Sequence, residues 1–503
     1  MWLLDMLQKH ADSDRPAVVN RDESVSFKQL WRYSDIFADY LIKSFPGNQP
    51  VILYGNKDIL ILVCMLACLK SGRAYIPVDI LFPAERIQQI IADSQCEVVI
   101  DFAGLGTHPA DVTVIDKQAA EEIVQGPVVE LDSKRWVKDE DNCYILFTSG
   151  STGKPKGVQI TKKNLVNFTS WFCDYCDIDG VGNVLNQVSY SFDVSDIPLY
   201  IYLASGKTLI TVDKEMCEDF KTLFVYLADN DVSVWVSTPV FLEICCADAK
   251  FSDGILPGLK LFILAGEVLT KRLVQTVWDR FENSAVINGY GPTEGTVLLS
   301  ACKITAEMMG DSLPIPIGYP LPDGDVRIID NDKNSVHGSE IGELAVISDS
   351  ISRGYLNNPE QTGKVFFACD DGRMGYFTGD LVFLKDSLLY YKGRKDFQIK
   401  LNGYRIEIED IENNILKLRG IVNTVVLPVY KEEKVSHLVA FVIMYEKRLY
   451  GLQDAVEIKK QLKAFLPKYM IPKSIVFTDA FPMTGSGKVD RKALLREAVY
   501  GDR

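Results

Sequence analysis

Short apolar runs, each closing on a polar turn that carries glycine, punctuate the first 390 residues. "PVILYG" (50–55) has the length and composition of a buried strand, and "DILILVCMLACLKSG" (58–72) reads as a helix ending at Gly72. "CEVVIDF" and "VTVID" follow as further short strands. "VSVWVSTP" (232–239), "LKLFILAGE" (259–267) and "SAVINGYGPTE" (284–294) repeat one theme, a strand running into a polar loop. Continuous rather than alternating apolar strands, separated by helical patterns, predict an α/β protein with mostly parallel sheets. In such sheets ligands gather at the carboxyl ends of strands, which is where these polar loops fall.

From about Asp325 the pattern changes to short strands with tight turns: "DVRIID", "GELAVIS", "LVFL", "SLLYYKG". This predicts a small β-rich subdomain. After "GRKDFQIKLNGYRIE" comes a charged helix, "EDIENNILKLR", then the β-hairpin-like pair "IVNTVVLPVY" and "SHLVAFVIMY". That succession predicts a separate α+β domain of residues 396–503 behind a large N-terminal domain of residues 1–395, with the boundary at Lys395–Asp396. The large domain is expected to hold two parallel-sheet α/β subdomains and the β-rich one.

Composition narrows the function classes. At 503 residues, 47% hydrophobic and 24% charged, the chain describes an ordinary multidomain globular protein. The opening "MWLLDMLQKHADSDRP" places Asp5, Lys9 and His10 inside any would-be apolar core, so it reads as neither signal nor transit peptide. The longest apolar run, 59–69, is about half of a membrane span, and a cytoplasmic location is expected. The net charge of −14 argues against nucleic acid as a partner. Charge is uneven: from Asp396 onward 18 Lys and Arg face 14 Asp and Glu, a net of +4 on an otherwise acidic chain. Such a basic piece suits a lid that meets anionic ligands or an acidic partner, or is ordinary surface variation. Eleven cysteines without a secretion signal read as reduced thiols; "CDYC" (173–176) lacks the second pair that a zinc site needs. The four histidines stand in no catalytic or metal motif, which disfavours hydrolytic triads and zinc hydrolases.

The most polar interruption is "YILFTSGSTGKPKGVQIT" (144–161). Residues 148–157 offer hydroxyls at Thr148, Ser149, Ser151 and Thr152, glycine amides at Gly150 and Gly153, and cations at Lys154 and Lys156. Glycines let backbone N–H groups close around phosphate oxygens, and lysines balance the charge. The spacing is not that of a Walker loop, because Pro155 follows Gly153-Lys154 and no glycine stands five positions before Gly153. Read alone, the segment is equally a mobile Ser/Gly loop.

Five motifs in order resolve the alternative: "TSGSTGKPKG", "NGYGPTE" (288–294), "YFTGD" (376–380), "YKGRKDFQIKLNGYRIE" and "MTGSGKVDR" (483–491). Together they resemble the adenylate-forming superfamily over nearly the whole chain, and within it the enzymes that activate amino acids; "LLDMLQKHADSDRPAVV" near the start, "YIPVD" (75–79), "STP" (237–239) and "YKGRKDFQIK" look most like those acting on D-alanine. The resemblance implies ATP and Mg²⁺, and two half-reactions: attack of an amino-acid carboxylate on the ATP α-phosphorus, then transfer of the acyl group to a phosphopantetheine thiol. It assigns Lys488 as the catalytic lysine bridging carboxylate and α-phosphate. Thr148, Ser149, Ser151, Thr152, Gly153, Lys154 and Lys156 would hold phosphates. Gly266, Glu267 and the segment Asn288, Gly289, Tyr290, Gly291, Pro292 and Thr293 would line the nucleotide. Glu294 would hold Mg²⁺, and Asp380 the ribose hydroxyls, with Tyr391, Lys392, Gly393 and Arg394 nearby. Asp396 matches the hinge about which a mobile C-terminal domain turns between half-reactions.

In "YSFDVSDIPLYIYL" (190–203) Asp193 matches the carboxylate that pairs with the substrate ammonium; read without the resemblance it is a helix N-cap. Val194, Ile197, Ile263, Ala265, Gly289 and Val297 would complete a pocket for a small or apolar side chain. Two departures stand out. The D-alanine-activating relatives carry Cys where this chain has Ala265, which puts strict D-alanine selectivity in doubt. They also place an acid just after the Ile197 position, where this chain has Pro198 and instead carries Asp196. That second carboxylate is expected to be solvated or salt-bridged, or else to favour a polar or basic substrate. No carrier segment follows "KALLREAVYGDR", so the thiol is expected on a separate carrier protein, with free CoA as the alternative. Teichoic acid modification is one setting for such a ligase; a standalone adenylation enzyme of peptide natural-product synthesis, using another amino acid, is the alternative.

Overall fold

The computed structural model describes residues 2–21, 23–106, 108–150, 153–336, 338–431, 434–483 and 489–500, the side chains of 497–500 excepted. It divides into two compact units. The first comprises residues 1–80, 91–147 and 157–395; the second comprises 81–90, 148–156 and everything from Asp396 onward.

Among the described residues the first unit holds a nine-stranded, a six-stranded and a five-stranded sheet. In the six-stranded sheet, strand Val51–Gly55 sits between Tyr75–Asp79 and Val98–Asp101, parallel to both. The nine-stranded sheet runs parallel through Asn183–Asn186, Val232–Ser237, Leu261–Ala265 and Ala285–Tyr290, then turns antiparallel at Ser300–Lys303. The central strands are buried on both faces, which is why their sequences read as unbroken apolar runs. The five-stranded sheet is the β-rich piece, antiparallel through Asp325–Ile329, Gly342–Ser348, Met374–Lys385 and Leu388–Arg394. The mixed α/β class with parallel sheets follows the sequence reading, while residues 81–90 and 148–156 group with the second unit rather than with the rest of 1–395.

Helix Ile59–Lys70 is buried all round, as its lack of a polar face requires. Its one charge, Lys70, is fully buried. The ammonium donates to Asp35 at 2.8 Å and to the Trp31 carbonyl at 3.0 Å, and lies 3.3 Å from the centre of the Trp31 ring. Gly72 has φ +77°, the left-handed geometry that ends the helix.

The second unit contains the hairpin Ile399–Leu401 with Tyr404–Ile406, and a three-stranded sheet. Strands Ile421–Lys431 and Lys434–Met444 pair antiparallel, and Ser474–Phe477 adds in parallel, so the expected hairpin is one strand larger than it looked. Helices Ile408–Leu416 and Leu452–Leu462 supply Ile411, Ile415, Ile458 and Leu462 to its core. No helix among the described residues is long and apolar enough to cross a membrane.

Candidate active site

Strand Asn142–Thr148 delivers the glycine loop of the second unit. A Cβ on Gly150 would collide with the Lys154 carbonyl, and Gly153 has φ +77° while its N–H donates to the Gly150 carbonyl at 3.0 Å. Both glycines are therefore demanded by the turn itself. Ser149 Oγ donates to the Arg405 carbonyl at 3.0 Å and accepts from the Glu407 N–H at 3.2 Å. Lys156 Nζ lies 3.6 Å from Glu407 Oε1, an oxygen that also accepts from Gln398. Two of the phosphate ligands expected from sequence are thus engaged by residues 405–407. Lys154 is exposed, and Thr148 Oγ1 is buried without a hydrogen-bond partner. A buried orphan hydroxyl at the mouth of such a loop fits a group that receives a phosphate oxygen. Ser151, Thr152 and Lys488 lie outside the described residues.

In the first unit the segment 288–294 leaves the C-terminal end of strand Ala285–Tyr290. Asn288 is buried and donates to the Pro316 carbonyl at 2.8 Å. Gly289 and Gly291 are close-approach positions: a Cβ would stand 2.8 Å from Leu298 and 2.5 Å from the Val297 carbonyl, respectively. Glu294 is fully buried, accepts from Tyr355 Oη at 2.7 Å, and belongs to the short turn Thr293–Gly295. The next two residues, Thr296 (φ 56°) and Val297 (φ 67°), are left-handed without being glycine. For a β-branched pair this is costly backbone, and such strain collects at functional sites. The Thr296 hydroxyl helps to hold it, donating to the Ser350 carbonyl at 2.6 Å. Gly266 (φ +94°) turns the chain after strand Leu261–Ala265, and the Glu267 carboxylate accepts from the Val240 N–H at 3.3 Å.

Asp380 and Arg394 are register partners on adjacent antiparallel strands. Arg394 donates to Asp380 Oδ1 at 2.7 Å and to the Thr378 carbonyl at 3.2 Å, while Tyr290 donates to Asp380 Oδ2 at 2.5 Å. Burial, then the Asp380 charge, hold the Tyr290 phenol well above its usual range, so it remains a neutral donor. The carboxylate is only 3% exposed, yet its two oxygens offer about four lone-pair sites, which leaves capacity for ribose hydroxyls. Tyr391 is half-buried; Lys392 is exposed, its ammonium 5.2 Å from the Phe383 ring centre; Gly393 (φ +144°) has open space where a Cβ would be.

Asp193 opens a 3-10 turn, Asp193–Ser195, whose N-cap is Phe192, so the plain N-cap reading of this aspartate does not hold. It is half-buried, beside Val194 and Ile197. Those two, with Ile263, Ala265 and Val297, belong to one continuous buried cluster. A π-helix, Ile197–Leu203, follows with Pro198 in its first turn. π-helical turns are rare and frequent at functional sites.

The expectation for Asp196 fails. It is neither solvated nor salt-bridged: it is 4% exposed, and its Oδ2 has no hydrogen-bond partner. The groups that act on it are Tyr144 and Asp193; Tyr144 lies beside it without completing an aligned hydrogen bond. Sequence reading also missed Tyr355 and Thr378, which orient Glu294 and the Asp380 backbone. Thr378 lies inside the quoted "YFTGD", whereas no motif marks Tyr355. The "CDYC" cysteines are free thiols; burial pushes Cys173 up to about 11 and Cys176 higher still. Among the described residues no group of three or more His, Cys, Asp and Glu could hold a metal by protein ligands alone.

Residues 7–356 match the model of the AMP-binding enzyme family, and residues 410–488 match that of the AMP-binding enzyme C-terminal domain. The D-alanine–D-alanyl carrier protein ligase of Bacillus licheniformis is 38% identical over 99% of this chain and 100% of its own length. The protein of the same name from Listeria monocytogenes is 41% identical over 96% of each chain. Among solved structures, a Vibrio cholerae adenylation domain in complex with glycyl-adenosine-5'-phosphate superposes with a TM-score of 0.85, covering 99% of this chain and 97% of that one at 23% identity. The last of these likeness measures speaks to the fold alone.

Proposed function

Since the chain belongs to the AMP-binding enzyme family, we propose that it is an ATP-dependent ligase that activates D-alanine as D-alanyl-AMP and passes it to the phosphopantetheine thiol of a separate carrier protein. The observation that carries this reading is the end-to-end similarity to D-alanine–D-alanyl carrier protein ligases, 38% identical over 100% of the relative's length.

In the first half-reaction the amino-acid carboxylate attacks the α-phosphorus of the substrate ATP, and pyrophosphate leaves. Negative charge grows on the phosphoryl oxygens, so positioned donors and cations are the main catalytic resource. Thr148, Ser149, Ser151, Thr152, Gly153, Lys154 and Lys156 would supply them to the phosphates. Lys488 would bridge the carboxylate and the α-phosphate. Engaging ATP requires Ser149 and Lys156 to give up the contacts they make with Arg405 and Glu407. Residues 288–293, Gly266, Glu267 and Tyr391 to Arg394 would line the nucleoside, and Asp380 would take the ribose hydroxyls. Glu294 would supply one carboxylate to Mg²⁺, an ion usually bound by one or two carboxylates plus substrate phosphates and water. When bound there, Mg²⁺ would neutralise phosphate charge.

In the second half-reaction the thiolate attacks the acyl carbonyl and AMP leaves. Residues 1–395 would act as the adenylation core and 396–503 as the mobile lid, turning at Asp396. Asp193 would pair with the substrate ammonium, and Val194, Ile197, Ile263, Ala265, Gly289 and Val297 would leave space for little more than a methyl. ATP supply favours the cytoplasm as the place of work.

Ala265 supports a second reading, in which another small amino acid such as glycine, L-alanine or serine is preferred. ATP–pyrophosphate exchange with both enantiomers of the small amino acids, acetate and benzoate separates the two. Preference for D-alanine supports the proposal, and preference for another amino acid moves the enzyme to the second reading. Turnover only with the simple carboxylates removes the role given to Asp193.

A further inference from the structure

The 3-10 turn Asp193–Ser195 brings two carboxyl groups close together with opposite surroundings. Asp193 is half-buried, and Asp196 is buried against the strands behind it. The groups facing Asp196 are Tyr144 and Cys143 of strand Asn142–Thr148, Tyr75 of strand Tyr75–Asp79, Tyr200 of the π-helix, and Asp193 on its own turn. Tyr75 and Tyr200 share a hydrogen bond of 2.8 Å, and their rings lie 5.8 and 6.4 Å from that of Tyr144. Burial holds all three phenols and the Cys143 thiol well above their usual range, so they are neutral. Among the described residues, no lysine, arginine or histidine is one of the groups that act on Asp196. An ionised carboxylate without a cation or an aligned donor is too costly to keep in such a place. Burial is the largest influence and favours the protonated form; the nearby Tyr144 hydroxyl pulls the other way, and the charge of Asp193 adds to burial.

We propose that Asp196 is a positioning residue of the amino-acid site, a neutral carboxylic acid caged by Tyr75, Tyr144 and Tyr200, which leaves Asp193 as the single negative charge of the pocket. This rests on the assignment of Asp193 to the substrate ammonium. One charge matches the one ammonium of alanine, glycine or serine. A second carboxylate, where ionised, would instead attract the extra cation of a diamino acid.

Protonation of Asp196 is tested without reference to activity. The melting temperatures of the wild-type chain and of Asp196→Asn are compared across pH. A buried acid with a raised folded-state pKa costs the wild type more as pH climbs above the unfolded carboxyl range, and the amide has no such cost. The advantage of Asp196→Asn is therefore expected to widen with pH. A variant that loses ground as pH rises overturns the proposal, because it reveals a charged, stabilising Asp196. If Asp196→Asn does not fold, Asp196→Val serves in the same comparison.

The functional arm is the pH profile of KM for D-alanine with ATP saturating. The wild-type KM is expected to fall relative to that of Asp196→Asn toward alkaline pH, as the acid ionises and adds its field. Superimposable profiles contradict this, whereas a merely structural residue would shift stability alone. 2,3-Diaminopropionate is expected to be at least about tenfold poorer than alanine at neutral pH, and equal use contradicts the single-charge pocket. Failure of the underlying assignment is distinguishable: Asp193→Asn would then leave KM for D-alanine unmoved, whatever Asp196 does.

Discussion

Asp380 and Arg394 face each other across two antiparallel strands and close a 2.7 Å ion pair, while Tyr290 donates to the other carboxylate oxygen. Two consecutive strands and the distant Tyr290 thereby fix one carboxylate, whose spare lone pairs are the proposed ribose site. Removing the carboxylate in Asp380→Ala strands a guanidinium that is 11% exposed and leaves a buried phenol without its acceptor. Breaking such a pair costs about 3–5 kcal/mol of stability. Denaturant unfolding checks that loss, and pyrophosphate exchange is expected to show KM for ATP rising far more than KM for the amino acid.

Asp193→Asn keeps the shape of the site and removes its charge. A hydrogen bond to a charged group contributes about 1.5–3 kcal/mol, so KM for D-alanine is expected to rise roughly 10- to 100-fold with KM for ATP little changed. Steady-state exchange kinetics at saturating ATP measure it. An unmoved KM removes Asp193 from the substrate.

Ala265 ends strand Leu261–Ala265 within the buried cluster that lines the proposed pocket. Ala265→Cys adds one buried sulfur and narrows the space beside the substrate methyl. Selectivity for alanine over larger side chains, read as the ratio of kcat/KM values, is expected to increase by about tenfold, the scale on which pockets discriminate a methylene.

How much of this was visible in sequence depends on whether a residue's partners lie near it in the chain. Buried parallel strands such as Val51–Gly55 and Leu261–Ala265 announce themselves, because burial on both faces leaves no polar alternation. The loops at 148–156 and 288–294 were legible for a similar local reason: Gly150 answers the Lys154 carbonyl and Gly291 the Val297 carbonyl, contacts made within a few residues. Asp196 was misread because its cage comes from positions 75, 144 and 200, and nothing local says that the carboxyl points inward. The π-helix was also missed, since "IPLYIYL" is apolar throughout and carries no period. The engagement of Ser149 and Lys156 by residues 405–407 joins segments some 250 positions apart, which no pattern of spacing could foretell.

Lys70 and Asp35 offer a test of the core. Burial lowers the Lys70 ammonium to about 8, against the pull of Asp35. The unfolded lysine titrates near 10.4, so between about pH 8 and that value the unfolded chain holds the proton more tightly. Below about pH 8 the desolvation cost is therefore present in full, and stability contributed by this group rises as pH climbs through the window. Unfolding free energies of the wild type and of the Asp35→Asn/Lys70→Met double variant, compared from pH 7 to 10, are expected to converge in favour of the wild type as pH rises. A constant difference contradicts it.

The measurement closest to the central claim is mass spectrometry of a phosphopantetheinylated D-alanyl carrier protein incubated with the chain, ATP, Mg²⁺ and an equimolar mixture of D-alanine, L-alanine, glycine and serine, with isotopic labels marking each. The expected product is a carrier heavier by one D-alanyl group, formed only with ATP and lost on hydroxylamine treatment as a thioester should be. A carrier loaded chiefly with another of the four, or left unloaded while pyrophosphate is released, contradicts the account.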